Sequence, residues 1–136
     1  MGISLRGGTI RPCRLKGCLG TFLFMEESIF AKIIARKVPA KIEFEDENYI
    51  VIQDIKPAAP VHVLVIPKKQ IASLNDVSPG DAGLVGGCFL VADKVMKKLG
   101  HSDYRTVFNC GAMAQQTVFH LHLHVMAGRQ FSWPPG

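Results

Sequence analysis

Gln116-Thr117-Val118-Phe119-His120-Leu121-His122-Leu123-His124-Val125-Met126 is the stretch whose reading sets the rest. Side chains on a β-strand alternate between its two faces. Read as a strand, these residues project His120, His122 and His124 from one face. Leu121, Leu123 and Val125 then point the other way, towards a core. Neighbouring imidazoles on the histidine face are expected about 6.5–7 Å apart, two residues of strand rise. Three of the chain's five histidines lie here. A neutral imidazole can attack phosphorus and form a covalent phospho-histidine. It is also a common metal ligand. Histidines that only fill a polar sheet face are the bland alternative, and strict alternation with aliphatic residues speaks against it. The row alone leaves catalysis and metal binding both open.

The chain has 136 residues, enough for one domain with a real core. Its 48% hydrophobic and 20% charged content fits a soluble globular protein. The net charge of +5 is uneven, because Arg6, Arg11, Arg14 and Lys16 all precede the first acid, Glu26. Residues 26–136 carry a net charge of only +1. A nearly neutral body argues against nucleic-acid binding through a broad basic face. Cys13, Cys18, Cys88 and Cys110 show no Cys-x-x-Cys spacing and read as free thiols of a reduced, intracellular protein. No apolar run reaches the ~18–20 residues of a membrane span.

Residues 1–24 are basic, acid-free and glycine-rich, and are expected to form a disordered extension ahead of a single domain over residues 25–136. A transit peptide is the alternative for this segment, so the expected location is cytoplasmic, or organellar if residues 1–24 act in targeting. Ile29, Phe30, Ile33 and Ile34 share one helical face, and Pro39 is expected to end that helix. Strands are expected over about 41–45 and 49–54, joined by Asp46-Glu47-Asn48. Lys56-Pro57-Ala58-Ala59-Pro60 cannot continue a ladder and reads as a loop. Val61 to Ile66 is a third strand, with His62, Leu64 and Ile66 on one face. Ser78-Pro79-Gly80-Asp81 starts a helix, with a serine cap, proline in the first turn and an acid behind it. Leu84, Cys88, Val91, Val95 and Leu99 continue it, and Gly100 stops it. Gly83, Gly86 and Gly87 lower helix propensity and leave room for another backbone to approach. Tyr104 to Asn109 reads as a fourth strand. Residues 109–115 form a loop of small side chains where backbone N–H groups can approach phosphate oxygens. The proline-rich tail, with Phe131 and Trp133, suggests docking onto another surface, a second subunit being one candidate.

At these residues the chain resembles a known family. His120-x-His122-x-His124 followed by Val125-Met126 matches the signature of the histidine triad (HIT) superfamily. Ser28 to Ile34, Ile55 to Pro60, Val65 to Lys69 and the Gly128-Arg129-Gln130 to Trp133-Pro134-Pro135-Gly136 tail look like its histidine triad nucleotide-binding (Hint) branch. The resemblance covers residues 28 to 136. It implies an α+β fold with an antiparallel sheet of about five strands, one long helix and one short. It also implies a homodimer that joins the sheets edge to edge.

The implied activity is that of a purine nucleoside phosphoramidase, cleaving a P–N bond of substrates related to AMP or GMP. His122 would be the nucleophile forming a nucleotidyl-histidine. His120, His124 and His62 would surround the phosphate, with Thr117 near the leaving group. Asp54 would accept from the ribose hydroxyls. Ile29, Phe30, Ile33, Ile52, Ile55 and Leu64 would form the base slot. Asn109 and Gln116 would lie around the phosphate, and Trp133 would reach the partner's site. No metal or other cofactor is required, since water completes the hydrolysis. A bell-shaped pH dependence is expected, with a neutral nucleophile beside a protonated neighbour. Alternatives are a dinucleoside polyphosphate hydrolase of another HIT branch and a non-catalytic nucleotide-binding scaffold. Two departures stand out. Ser28 and Ala31 replace the Cys-x-x-Cys of many relatives, and Gln115 replaces a usual glycine.

Overall fold

Two-residue periodicity sorts the core into two layers. The computed structural model describes residues 27–136, so the readings for residues 1–24 lie outside the described part. Strands β1 (Ile42–Glu45), β2 (Tyr49–Gln53), β3 (Val61–Pro67), β4 (Tyr104–Val107) and β5 (Leu123–Ala127) form one antiparallel sheet. Their order across it is β1-β2-β3-β5-β4. Val51, Val63, Val65, Leu123 and Val125 face the long helix α2 (Ala82–Lys98) and its Cys88, Val91, Val95 and Met96. Ile50, Ile52, Leu64 and Ile66 face the other way, against Phe30 and Ile33 of the short helix α1 (Ile29–Ile34). Each such side chain, when fully buried, contributes ~1.5–3 kcal/mol. This is the α+β architecture expected, with one long helix and one short. Among the described residues, no helix is long and apolar enough to cross a membrane.

Local chemistry sets the helix ends. Ser78 and Asp81 form a reciprocal capping box in the 3-10 turn that leads into α2. Gly100, at φ +82, follows the last turn. Helix α1 stops at Ile34, earlier than Pro39 predicts. The cause is a left-handed closure: Arg36 sits at φ 61, its N–H donates to the Ile33 carbonyl, and the Lys37 N–H reaches the Lys32 carbonyl. Close approach to α2 is made by a side chain rather than a backbone. The Tyr49 hydroxyl donates to the Leu84 carbonyl at 2.7 Å. A Cβ at Gly87 would lie 2.0 Å from that hydroxyl oxygen.

The histidine stretch is only partly a strand. β5 begins at Leu123, and residues 118–122 form no ladder. β3 and β5 pair as Val65↔Leu123 and Leu64↔His124, so continuing the ladder would bring Leu121 to Pro67. Proline has no N–H to offer there. The Pro67 carbonyl is taken by the His120 ring at 2.8 Å, and the Leu121 N–H turns to the Ile71 carbonyl at 2.6 Å. β4 likewise ends at Val107, two residues before the predicted Asn109.

Candidate active site

A cleft of about 660 Å³ opens on the α1 face of the sheet. Ile29, Phe30, Ile33, Ile52, Ile55 and Leu64 give it apolar walls, and Val38, Pro39, Ala40 and Lys41 add a further wall. At one end stand Asp54, Thr117, His122 and His124. The His122 and His124 rings lie 4.9 Å apart, closer than the two-residue rise of a straight strand, and His122 stands just ahead of β5. Phe30 meets the His122 ring edge-on at 4.9 Å.

Hydrogen-bond partners decide which nitrogen of each ring carries the proton. The Ala58 N–H donates to His62 Nδ1 at 2.9 Å, so a neutral His62 holds its proton on Nε2. That Nε2 lies 2.9 Å from His124 Nδ1, which must therefore accept. His124 keeps its own proton on Nε2. His122 follows the opposite rule. Its Nδ1 donates to the His120 carbonyl at 2.7 Å, leaving Nε2 with a free lone pair. The cleft thus holds one imidazole able to attack and one able to donate. His120 has neither role. Its Nε2–H donates to the Pro67 carbonyl, and its Nδ1 accepts from the Ser28 hydroxyl at 2.8 Å. Ser28 also caps α1 by accepting the Ala31 N–H, so one hydroxyl joins the cleft wall to the histidine stretch.

Burial keeps all four rings neutral. It lowers the pKa of His62 against the opposing pull of Asp54. It lowers His120 and His122 as well, against the carbonyls that bind their N–H groups. His124 falls to about 4, first through burial and then through the neighbouring His122 and His62. Asp54 Oδ2 lies 3.4 Å from His62 Nε2 and 3.8 Å from His124 Nδ1, while Oδ1 accepts the Lys56 N–H. Asp54, His62 and His124 bring possible ligand atoms within 4.8 Å of one another. A cation there would have to displace the proton on His62 Nε2 and break the relay from Ala58.

Ten of the fifteen residues singled out from the sequence line the cleft: His122, His124, Thr117, Asp54, Ile29, Phe30, Ile33, Ile52, Ile55 and Leu64. His62 stands behind His124, and His120 is fully buried beneath α1. Gln116, Asn109 and Trp133 do not line the cleft of their own chain. Gln116 is turned inward: its amide donates to the Ala72 and Val118 carbonyls, and its oxygen accepts the Gly111 N–H. Asn109 reaches only towards the Gln115 carbonyl, at 3.5 Å. Trp133 is 83% exposed on the tail, outside its own chain's cleft. Reading the sequence missed Ser28 as a partner of His120, although a serine ahead of an apolar helical face signals a cap. It also missed the Ala58 N–H and the Pro67 and His120 carbonyls, which no residue type reveals.

The family model described as "Scavenger mRNA decapping enzyme C-term binding" matches residues 27–132. An uncharacterized HIT-like protein of Synechocystis sp. is 51% identical over 112 residues, covering 82% of this chain and 98% of that relative. The crystal structure of a HIT family hydrolase from Legionella pneumophila Philadelphia 1 is 44% identical with a TM-score of 0.77, over 79% of this chain and 98% of that one. A HIT family hydrolase from Clostridium thermocellum is also 44% identical, with a TM-score of 0.76, over 79% of this chain and 96% of that one. The chain belongs to the histidine triad superfamily.

Proposed function

We propose that this protein is a hydrolase of the histidine triad nucleotide-binding branch, a purine nucleoside phosphoramidase. The observation that carries the reading is the pairing of a bare His122 Nε2 with a His124 Nε2–H at the end of an apolar slot that also holds a carboxylate. A purine suits the slot formed by Phe30, Ile33, Ile52 and Leu64. Asp54 suits the ribose diol. His122 Nε2 attacks phosphorus, and the P–N bond breaks as the amine takes up a solvent proton beside Thr117, a proton that the water of the second step returns. The Nδ1–H of His122 stays on the His120 carbonyl, which stabilises the cationic phospho-imidazole. His124 Nε2–H binds the phosphoryl oxygens. Water then displaces His122 from phosphorus, releasing the nucleoside monophosphate.

The matched family model favours a second reading, hydrolysis of a phosphoanhydride by another HIT branch. Comparing kcat/KM for adenosine 5'-phosphoramidate and diadenosine triphosphate separates the two. Preference for the phosphoramidate is expected, and preference for the anhydride replaces this reading with the second. Nucleotide binding without turnover of either would leave a scaffold. A cytoplasmic homodimer belongs to the same proposal. It is supported by β4 at the sheet's outer edge and by exposed Phe89 and Leu90 on α2. Sedimentation should then give twice the monomer mass.

A further inference from the structure

The segment after β5 is fastened to the loop that holds His62. Gly128 adopts φ +94, and a Cβ there would lie 3.0 Å from the Pro60 Cβ. Contact and backbone conformation both demand glycine at that position. The next residue, Arg129, donates from Nε to the Ala58 carbonyl at 3.0 Å. Ala58 in turn donates its own N–H to His62 Nδ1. One loop residue thus joins the tail on one side to the catalytic relay on the other. The Arg129 guanidinium is itself held, 4.2 Å from the centre of the Phe131 ring, with Arg105 at 4.9 Å from the same ring. Arg105 also donates to the Ser132 carbonyl at 2.8 Å, tying the tail to β4.

The geometry points to Arg129 as a positioning residue for His62 and His124. By holding Ala58 it keeps that residue's N–H aimed at His62 Nδ1. A proton on Nδ1 would then face another N–H, so His62 keeps its proton on Nε2 and gives that hydrogen bond to His124. His124 in turn presents N–H, not a lone pair, to the cleft. The Ala58 side chain itself is exposed. The inference builds on the phosphoryl-transfer reading of the cleft, but its primary readout needs no substrate.

Long-range imidazole ¹H–¹⁵N spectra of the full chain report the tautomer of each ring. The wild-type protein should show His62 and His124 each as a single Nε2–H form. Arg129→Gln should give mixed tautomers at both rings. It should also lower kcat on adenosine 5'-phosphoramidate by about tenfold, the rate equivalent of ~1.4 kcal/mol, with little change in KM. Arg105→Met keeps the bond to Ala58 and should keep the single tautomers. Unchanged tautomers in Arg129→Gln overturn the proposal, even if activity falls, because the tail then acts elsewhere. Equal scrambling in Arg105→Met also overturns it, since the bond to Ala58 is then not the cause. Mixed tautomers in Arg129→Gln, with none in Arg105→Met, uphold it even if the wild-type protein cleaves no phosphoramidate; that result would sink the functional reading alone.

Discussion

The carbonyl of His120 accepts the Nδ1 proton of His122 at 2.7 Å. The backbone of one signature histidine therefore directs the side chain of the next. The His120 ring points elsewhere, into a buried bridge between Ser28 and Pro67. Within the triad one ring is a buried strut, one leaves Nε2 without a proton, and one carries its proton on Nε2.

Substitutions at the two residues should therefore separate stability from activity. His122→Ala removes the proposed nucleophile and should lower turnover on the order of 10³-fold or more, with nucleotide binding retained. His120→Ala keeps the directing carbonyl but empties a buried site and strands the Ser28 hydroxyl and Pro67 carbonyl. It should cost about 2–4 kcal/mol of stability, read by urea unfolding, while the folded fraction still turns over. An inactive but stable His120→Ala would place that ring in the chemistry.

Acid should destabilise the protein in a window set by the histidines. All four rings have folded pKa values below the ordinary 6.5, with burial the first cause. The unfolded chain therefore binds protons more readily. Stability from these rings is complete above pH 6.5 and is lost as pH falls towards about 4, the value for His124. Asp81 behaves separately. Its Lys69 ion pair and bonds from Ser78 hold it at about 2, so its contribution is lost only below the ordinary 3.8. Urea midpoints across both ranges test this, and His124→Asn should flatten the upper one.

Activity should share the acid limb. A nucleophilic His122, as proposed, works neutral, so kcat/KM should fall at a pH below 6.5. An alkaline side of the bell would need a protonated imidazole, which burial of His124 disfavours in the free protein near neutrality. An alkaline limb just above neutrality would show that a protonated imidazole is needed after all.

Gln115 takes the left-handed conformation, at φ 67 and ψ 27, where an ordinary side chain is strained. Gln115→Gly should relieve about 1 kcal/mol of that strain, partly offset by a freer unfolded chain. A raised or unchanged Tm is expected, and a clear loss would show that the glutamine side chain stabilises the loop.

Gly87→Ala should lower stability by about 1–3 kcal/mol, despite alanine's better helix propensity, because its methyl would collide with Tyr49. In a Tyr49→Phe background the cost should shrink, since the hydroxyl is the nearest atom. A double-mutant cycle on Tm reads the coupling directly.

The β-strands, the long helix and the sorting of Ile50, Val51, Ile52, Val63 and Leu64 between two layers were legible from periodicity. The Ser78–Asp81 cap was legible as well. The length of α1 was not, because Arg36 enters the left-handed region without a glycine or asparagine to signal it. Nor was the start of β5, which depends on Pro67 lying across the ladder from the position Leu121 would occupy.

The sequence by itself determined the strands and the long helix, because two-residue and helical alternation of apolar residues decide what can face a core. Tertiary structure alone decided what the histidine side chains do. The proton positions of His62, His122 and His124 follow from backbone groups of Ala58 and His120, and the seat of His120 from the Pro67 carbonyl. Every residue but proline carries the same N–H and every residue the same C=O, so only folding selects the ones that meet an imidazole.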